Sequence, residues 1–258
     1  MTMQILALGD IVGPRAVEYI RRNLWGIRDR YGVALVVANG ENACTGNGID
    51  PHTADTLLSA GVDVITSGNH IWHKREIFDY LDDSAHIVRP ANYKSTNPGK
   101  GHTIVSCDGV RFLVMNVMGV VYMDALENPF VSVSRILDRC AGEYDAAILD
   151  IHAEATSEKL ALAHYFDGRI QVIFGTHTHV TTADEQILSH GSGYITDLGM
   201  CGPTQSVLGV RPDLIIERMN AHMPVRFELA ATPIEANGTL FSLDSETMSV
   251  QSVMRIKF

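Results

Sequence analysis

Cysteine is scarce in this chain and poorly spaced for metal or disulfide chemistry. Cys44, Cys107, Cys140 and Cys201 form no C-x-x-C pair, which excludes a structural zinc knuckle and leads us to expect free thiols in a reducing compartment. No apolar run approaches the roughly 20 residues that span a bilayer. No charged leader precedes the first strand-like run, so the expected setting is cytoplasmic, without a membrane partner. Basic residues are also in deficit: 20 Lys and Arg against 30 Asp and Glu leave a formal net charge of −10. A long nucleic-acid partner is therefore excluded, since that footprint needs a basic track. Phosphate loops are missing too. Gly46-Asn47-Gly48 is followed by no Gly-Lys-Ser/Thr, and no Gly-x-Gly-x-x-Gly follows a strand. Repeats, low-complexity tracts and linkers are absent.

What the chain does hold is a set of polar clusters, each placed where an apolar run ends. Ile5-Leu6-Ala7-Leu8 leads to Gly9-Asp10, Val33 to Val37 to Gly40-Glu41-Asn42, and Val62 to Thr66 to Gly68-Asn69-His70. Ala146 to Leu149 leads to Asp150-Ile151-His152, and Ile170 to Phe174 to Gly175-Thr176-His177-Thr178-His179. Because ligands of open α/β sheets bind outside the carboxyl ends of the strands, five such endings can deliver their side chains to one crevice. Asp10, Glu41, Asn42, Asn69, His152, His177 and His179 exceed the three protein ligands of a catalytic zinc and fit a pair of ions. Hard oxygens mixed with imidazole, without thiolate, suit manganese, iron or zinc. Two ions about 3.5–4 Å apart can clamp an in-line displacement at phosphorus. His177 and His179, two apart in an extended segment, are expected to project to one side.

In their order, these motifs resemble the calcineurin-like metallophosphoesterase superfamily. More narrowly, Gly40-Glu41-Asn42, Arg89-Pro90-Ala91-Asn92, His152 to Lys159 and Gly175 to Val180 resemble its YmdB-like branch of bacterial cyclic-nucleotide phosphodiesterases, from about Met3 past Arg226. Most superfamily members carry Asp-x-His in the first motif, whereas Val12 here cannot bind a metal; most bridge with Asp, whereas this chain has Glu41 beside Asn42. The resemblance implies that Asp10, Asn42 and His179 hold one ion, that Asn69, His152 and His177 hold the other, and that Glu41 bridges them. It also implies 2′,3′-cyclic AMP as substrate. The expected cofactors are two divalent or mixed-valence ions, iron or manganese ahead of zinc.

His70 follows a proposed ligand and, in an extended turn, should point away from the ions yet face the bound phosphate as general acid, with water activated by the ions as nucleophile. Simpler roles compete at other positions. Asp150 either orients His152 or bonds backbone at a strand end. Gly68-Asn69-His70 alone could be a tight turn with Asn at positive φ. Asn92 and Thr156 read as loop caps ahead of substrate contacts, the arginines of the first helix as a solvated face, and the remaining histidines as surface or structural residues.

Helices are expected over Pro14–Tyr31, Pro51–Ala60, Lys74–Leu81, Val131–Ala141 and Ser157–Phe166, and a hairpin over Gly101–Asn116 turning at Asp108-Gly109. Antiparallel strands are expected over Arg226–Ala231, Gly238–Leu243 and Ser249–Ile256, with an irregular loop over Thr196–Gly209 that borders the site or a subunit contact. The fold class is α/β, two packed β-sheets flanked by helices in a four-layer metallophosphoesterase-like sandwich. At 258 residues and 46% hydrophobic the chain suffices for one domain, 1–258, and a homo-oligomer is expected. Two functions remain open: a dinuclear phosphodiesterase acting on a small cyclic nucleotide, with a phosphomonoesterase or protein phosphatase as the enzymatic alternative, and a metal- and nucleotide-binding regulator with incidental turnover.

Overall fold

The structure, a computed structural model, describes residues 2–258. The first third alternates strand and helix: β1 (Thr2–Leu8), β2 (Asp10–Ile11), α1 (Pro14–Tyr31), β3 (Val33–Asn39), α2 (Pro51–Ser59), β4 (Val64–Thr66), a single turn at Ile71–His73, then α3 (Ile77–Asp83). The middle follows with β5 (His102–Cys107), β6 (Val110–Met118), α4 (Pro129–Arg139), β7 (Ala146–His152), α5 (Thr156–Phe166) and β8 (Val172–Thr176). Last come β9 (Gln186–Ile187), β10 (Gly193–Ile195), β11 (Met200–Pro203), α6 (Pro212–Ala221), β12 (Ile234–Glu235), β13 (Asn237–Asp244) and β14 (Val250–Lys257).

One sheet runs β14-β13-β1-β3-β4, a second runs β5-β6-β7-β8-β10-β9, and β12-β11-β2 form a small third. Period-two alternation explains their stacking. Ile5 and Ala7 of β1 and Leu35 and Val37 of β3 meet Phe112, Val114, Ile148, Val172 and Phe174 between the two large sheets. Leu6 and Leu8 face the other way, onto Ile20 and Leu24 of α1 and Leu57 of α2. On the far side, Leu113, Leu149 and Ile173 pack against Val133 of α4 and Leu162 and Phe166 of α5. The result is the expected α/β sandwich of two sheets flanked by helices. Its parallel strands β1-β3-β4 and β6-β7-β8 end on the same side, where the polar clusters lie.

Local signals account for the boundaries that were legible. Pro14 opens α1 and Gly32, at φ 62°, closes it in the left-handed region. Asp50 caps α2 by accepting from the Thr53 amide at 2.8 Å. Three expectations fail. Arg226–Ala231 forms no strand: Phe227 and Leu229 are exposed, and a lone bridge from Leu229 to Val210 is its only ladder contact. Thr196–Gly209 is not wholly irregular, because β11 lies inside it and pairs with β2 in the register Met200↔Asp10. The helix expected from Lys74 begins only at Ile77, and α6 had no counterpart in the sequence reading.

Candidate metal centre

Four buried carboxylates, Asp10, Glu41, Asp150 and Asp197, gather beneath the strand ends with one buried ammonium, Lys159. Such an excess of buried negative charge is costly unless something positive compensates it. Of these four carboxylates Lys159 pairs only with Asp197, at 2.7 Å. Asp10 keeps its Oδ2 on the His177 amide at 3.0 Å, while its Oδ1 is buried without any hydrogen-bond partner. Burial pushes Asp10 above the ordinary carboxylate range against the pull of His179 and His152. That oxygen has lone pairs free to accept a proton donor or a cation.

His152 shows the same demand. Its Nε2 faces Asn69 Oδ1 at 3.0 Å, His177 Nδ1 at 3.1 Å and Glu41 Oε2 at 3.4 Å. Burial disfavours a charged His152, yet Glu41 and Asp10 outweigh it and raise the imidazole to about 9. Burial also works upward on Glu41, but His152 and His70 hold it well below the usual range. His177, desolvated and beside His152, is pushed down to about 4 and stays neutral. One proton on His152 thus sits among three Lewis-basic atoms. Glu41, His152 and His177 each place one ligand atom within 4.8 Å of the others.

The second group lies on the other oxygen of Glu41. Asn42 Nδ2 stands 2.8 Å from Glu41 Oε1 and 3.3 Å from His179 Nε2, and His179 Nε2 is 3.8 Å from Asp10 Oδ1. An amide N–H lies between two acceptors, and rotating the amide by half a turn would present oxygen there instead. All seven sequence candidates therefore meet, in two groups that share Glu41. Donors of this type, with an orphaned carboxylate oxygen among them, fit divalent cations.

Two local expectations are corrected. His177 and His179 do not alternate along an extended segment: β8 stops at Thr176, and both have positive φ, 99° and 64°. They still reach the site, one in each group, through a backbone conformation that costs about 1–3 kcal/mol per residue and is commonly stored at functional sites. His70 does not point away. It precedes the turn at Ile71 with φ −95°, and its Nδ1 lies 3.0 Å from both Glu41 Oε1 and Asn42 Oδ1. Gly68-Asn69-His70 does form a turn, closed by the Ile71 amide on the Gly68 carbonyl at 3.3 Å, but Asn69 does not take the positive φ expected of it. Gly68 is needed for close approach, because a Cβ there would run into His152 and Glu41.

Supporting groups escaped the sequence reading in part. Asp150 accepts from Thr66 Oγ1 and Thr176 Oγ1, and Thr176 Oγ1 lies 2.9 Å from His152 Nδ1. With its proton committed to Asp150, the Thr176 hydroxyl accepts from His152 Nδ1–H, which turns Nε2 toward the site. Burial raises Asp150 to about 6, still ionised at neutral pH. Glu154 holds His177 Nε2 at 3.2 Å, and Asn47 Nδ2 lies 3.3 Å from His70 Nε2. Thr176 and Glu154 sat inside quoted motifs; Asp197 carried no sequence signal. Asn92 is a brace, as expected, bonding Met118 and Glu127 backbone. Arg28 departs from the solvated-face reading, since it docks on Asp63 and two carbonyls. All four cysteines are free. Among the described residues no helix is long and apolar enough to cross a membrane.

Residues 6–256 match the family model described as YmdB-like protein. A 2′,3′-cyclic-nucleotide 2′-phosphodiesterase of Bacillus subtilis is 40% identical over 98% of this chain and 96% of its own length. Among solved structures, a hypothetical protein of Thermus thermophilus superposes with TM-score 0.92 at 37% identity, covering 99% of both chains. A structure described as a novel phosphatase from Mycoplasma pneumoniae superposes with TM-score 0.93 at 33% identity, covering 100% of this chain and 94% of that one.

Proposed function

Because the chain belongs to the YmdB-like protein family, we propose that it is a dinuclear metal-dependent phosphodiesterase that opens 2′,3′-cyclic nucleotides, with adenine the favoured base. The observation that carries this reading is the disposition of Glu41, whose Oε1 faces Asn42 and whose Oε2 faces His152. In this reading Asp10, Asn42 and His179 hold one ion, Asn69, His152 and His177 hold the other, and Glu41 joins them. The activity of the Bacillus subtilis relative supports the substrate class. Iron or manganese is the proposed metal, from the oxygen and imidazole donors.

When bound, the ions neutralise phosphate charge and bring the pKa of water toward neutrality. The chain's own residues do the rest. Thr176 fixes the His152 tautomer and Glu154 that of His177, so each ring presents a lone pair to the site. His70 presents Nδ1 to the centre and delivers the proton that the leaving alkoxide needs, while Asn47 holds the opposite ring nitrogen. A cyclic phosphodiester is compact and needs no basic track, in keeping with the net charge of −10.

The test is a comparison of kcat/KM for 2′,3′-cyclic AMP, 3′,5′-cyclic AMP, a phosphomonoester and an RNA oligomer on manganese-loaded protein. The 2′,3′-cyclic substrate should lead. A monoester or oligomer ahead by about tenfold, roughly 1.4 kcal/mol of transition-state discrimination, would overturn the assignment.

A further inference from the structure

A cavity of about 790 Å³ lies between the segment 89–102, the loop at 125–127 and α4, and none of the seven candidate ligands nor His70 lines it. Its walls carry five cationic side chains, Arg89, Lys94, Lys100, Arg135 and Arg139, against one carboxylate, Glu127. In a chain of net charge −10 this is a local reversal of sign. Two of the five are already committed. Arg135 pairs with Glu127, which also accepts from Ser132 Oγ at 2.6 Å. The Arg89 guanidinium donates to the carbonyls of Pro90, Lys94 and Pro98 and so shapes the loop. Lys94, Lys100 and Arg139 have no hydrogen-bond or ion-pair partner among the described residues.

We propose that this cavity is a second binding site, which takes a small organic phosphate. Three exposed, unpartnered cations line the cavity beside a loop that buried Arg89 has already ordered, so ligand binding does not have to order that part of the wall. Phosphate oxygens satisfy lysine and arginine together, as charge-assisted acceptors. Ala91, Leu126 and Ile136 add an apolar wall for the organic part, and the volume lies in the range of small-molecule sites. The electrostatics agree: burial, then Arg139 and Lys100, push the half-buried His102 below its ordinary value. Asn92, on the same cavity, bonds Met118, whose register partner on β7 is His152, so the new site is braced against the metal centre.

Isothermal titration of the full chain, stripped of metal and dialysed free of chelator, tests this with adenosine 5′-diphosphate, pyrophosphate and adenosine. The two phosphates should bind with one-site stoichiometry and adenosine should not. The triple variant Lys94→Ala, Lys100→Ala, Arg139→Ala should weaken phosphate binding about tenfold or more, and Lys100→Glu alone should weaken it measurably. Both variants should melt like the parent, because the replaced groups hold nothing in place. No saturable phosphate binding, or binding that survives the triple substitution, would overturn the proposal.

Discussion

In the proposed reading His70 separates chemistry from metal binding, because its Nδ1 faces the centre while it belongs to neither proposed ligand group. His70→Ala should retain two ions and the fold yet lose roughly 10²–10⁴-fold in turnover. The loss should shrink for esters with good leaving groups, as measured across nitrophenyl and alkyl phosphodiesters; equal losses would make His70 a positioning residue instead. The seven residues that the strand-end clusters single out do lie together in the fold. Their conformation was not legible in the sequence. Positive φ at His177 and His179 follows from the loop being tied down by its neighbours, and nothing in Gly-Thr-His-Thr-His announces it. Likewise Asn47, discounted as a fragment of a phosphate loop, stands against His70.

At the scale of elements, the loop after β8 depends on a buried pair of which the motifs disclosed only Lys159, at the end of the His152 to Lys159 segment. Lys159, on α5, donates to Asp197 and to the Thr176 carbonyl, while Asp197 also accepts from the amide and hydroxyl of Thr178. Removing one partner strands a buried charge. Lys159→Met should destabilise the protein by about 3–5 kcal/mol and weaken metal binding through His177 and His179, whereas Lys159→Met with Asp197→Asn should recover part of that stability. Denaturant melts and metal titrations of both variants check this, and equal stability of the single and double variants would contradict it. Helices and parallel strands were readable because burial sets their period and proline, aspartate and glycine mark their ends. Short pieces were not. β2, β11 and β12 have too few residues for a period and exist because β11 lies between two partners. Phe227 and Leu229 mimic a strand's alternation but find no sheet to join.

For the molecule as a whole, the centre lies at the junction of the two large sheets, with Asp10, Glu41, Asn42 and Asn69 following strands of one and His152, His177 and His179 at the ends of strands of the other. Without metal, protonated His152 supplies part of the positive charge that this junction requires. Its folded value, about 9, lies above the ordinary 6.5, so its stabilisation is complete below pH 6.5 and is lost as pH rises through 9. The metal-free protein should lose up to about 3 kcal/mol across that window. Asp150, at about 6, has finished its own change at the lower edge. Metal-loaded protein should resist the loss, because the ion replaces the proton; matched melts at pH 7 and pH 9.5 with and without manganese would show parallel curves if this were wrong. The most direct measurement is an anomalous-difference map from crystals soaked in manganese. Two peaks about 3.5–4 Å apart, on either side of the Glu41 carboxylate, are predicted, with Asp10, Asn42 and His179 around one and Asn69, His152 and His177 around the other. A single peak, or peaks that leave Glu41 outside the coordination of either ion, would contradict the account.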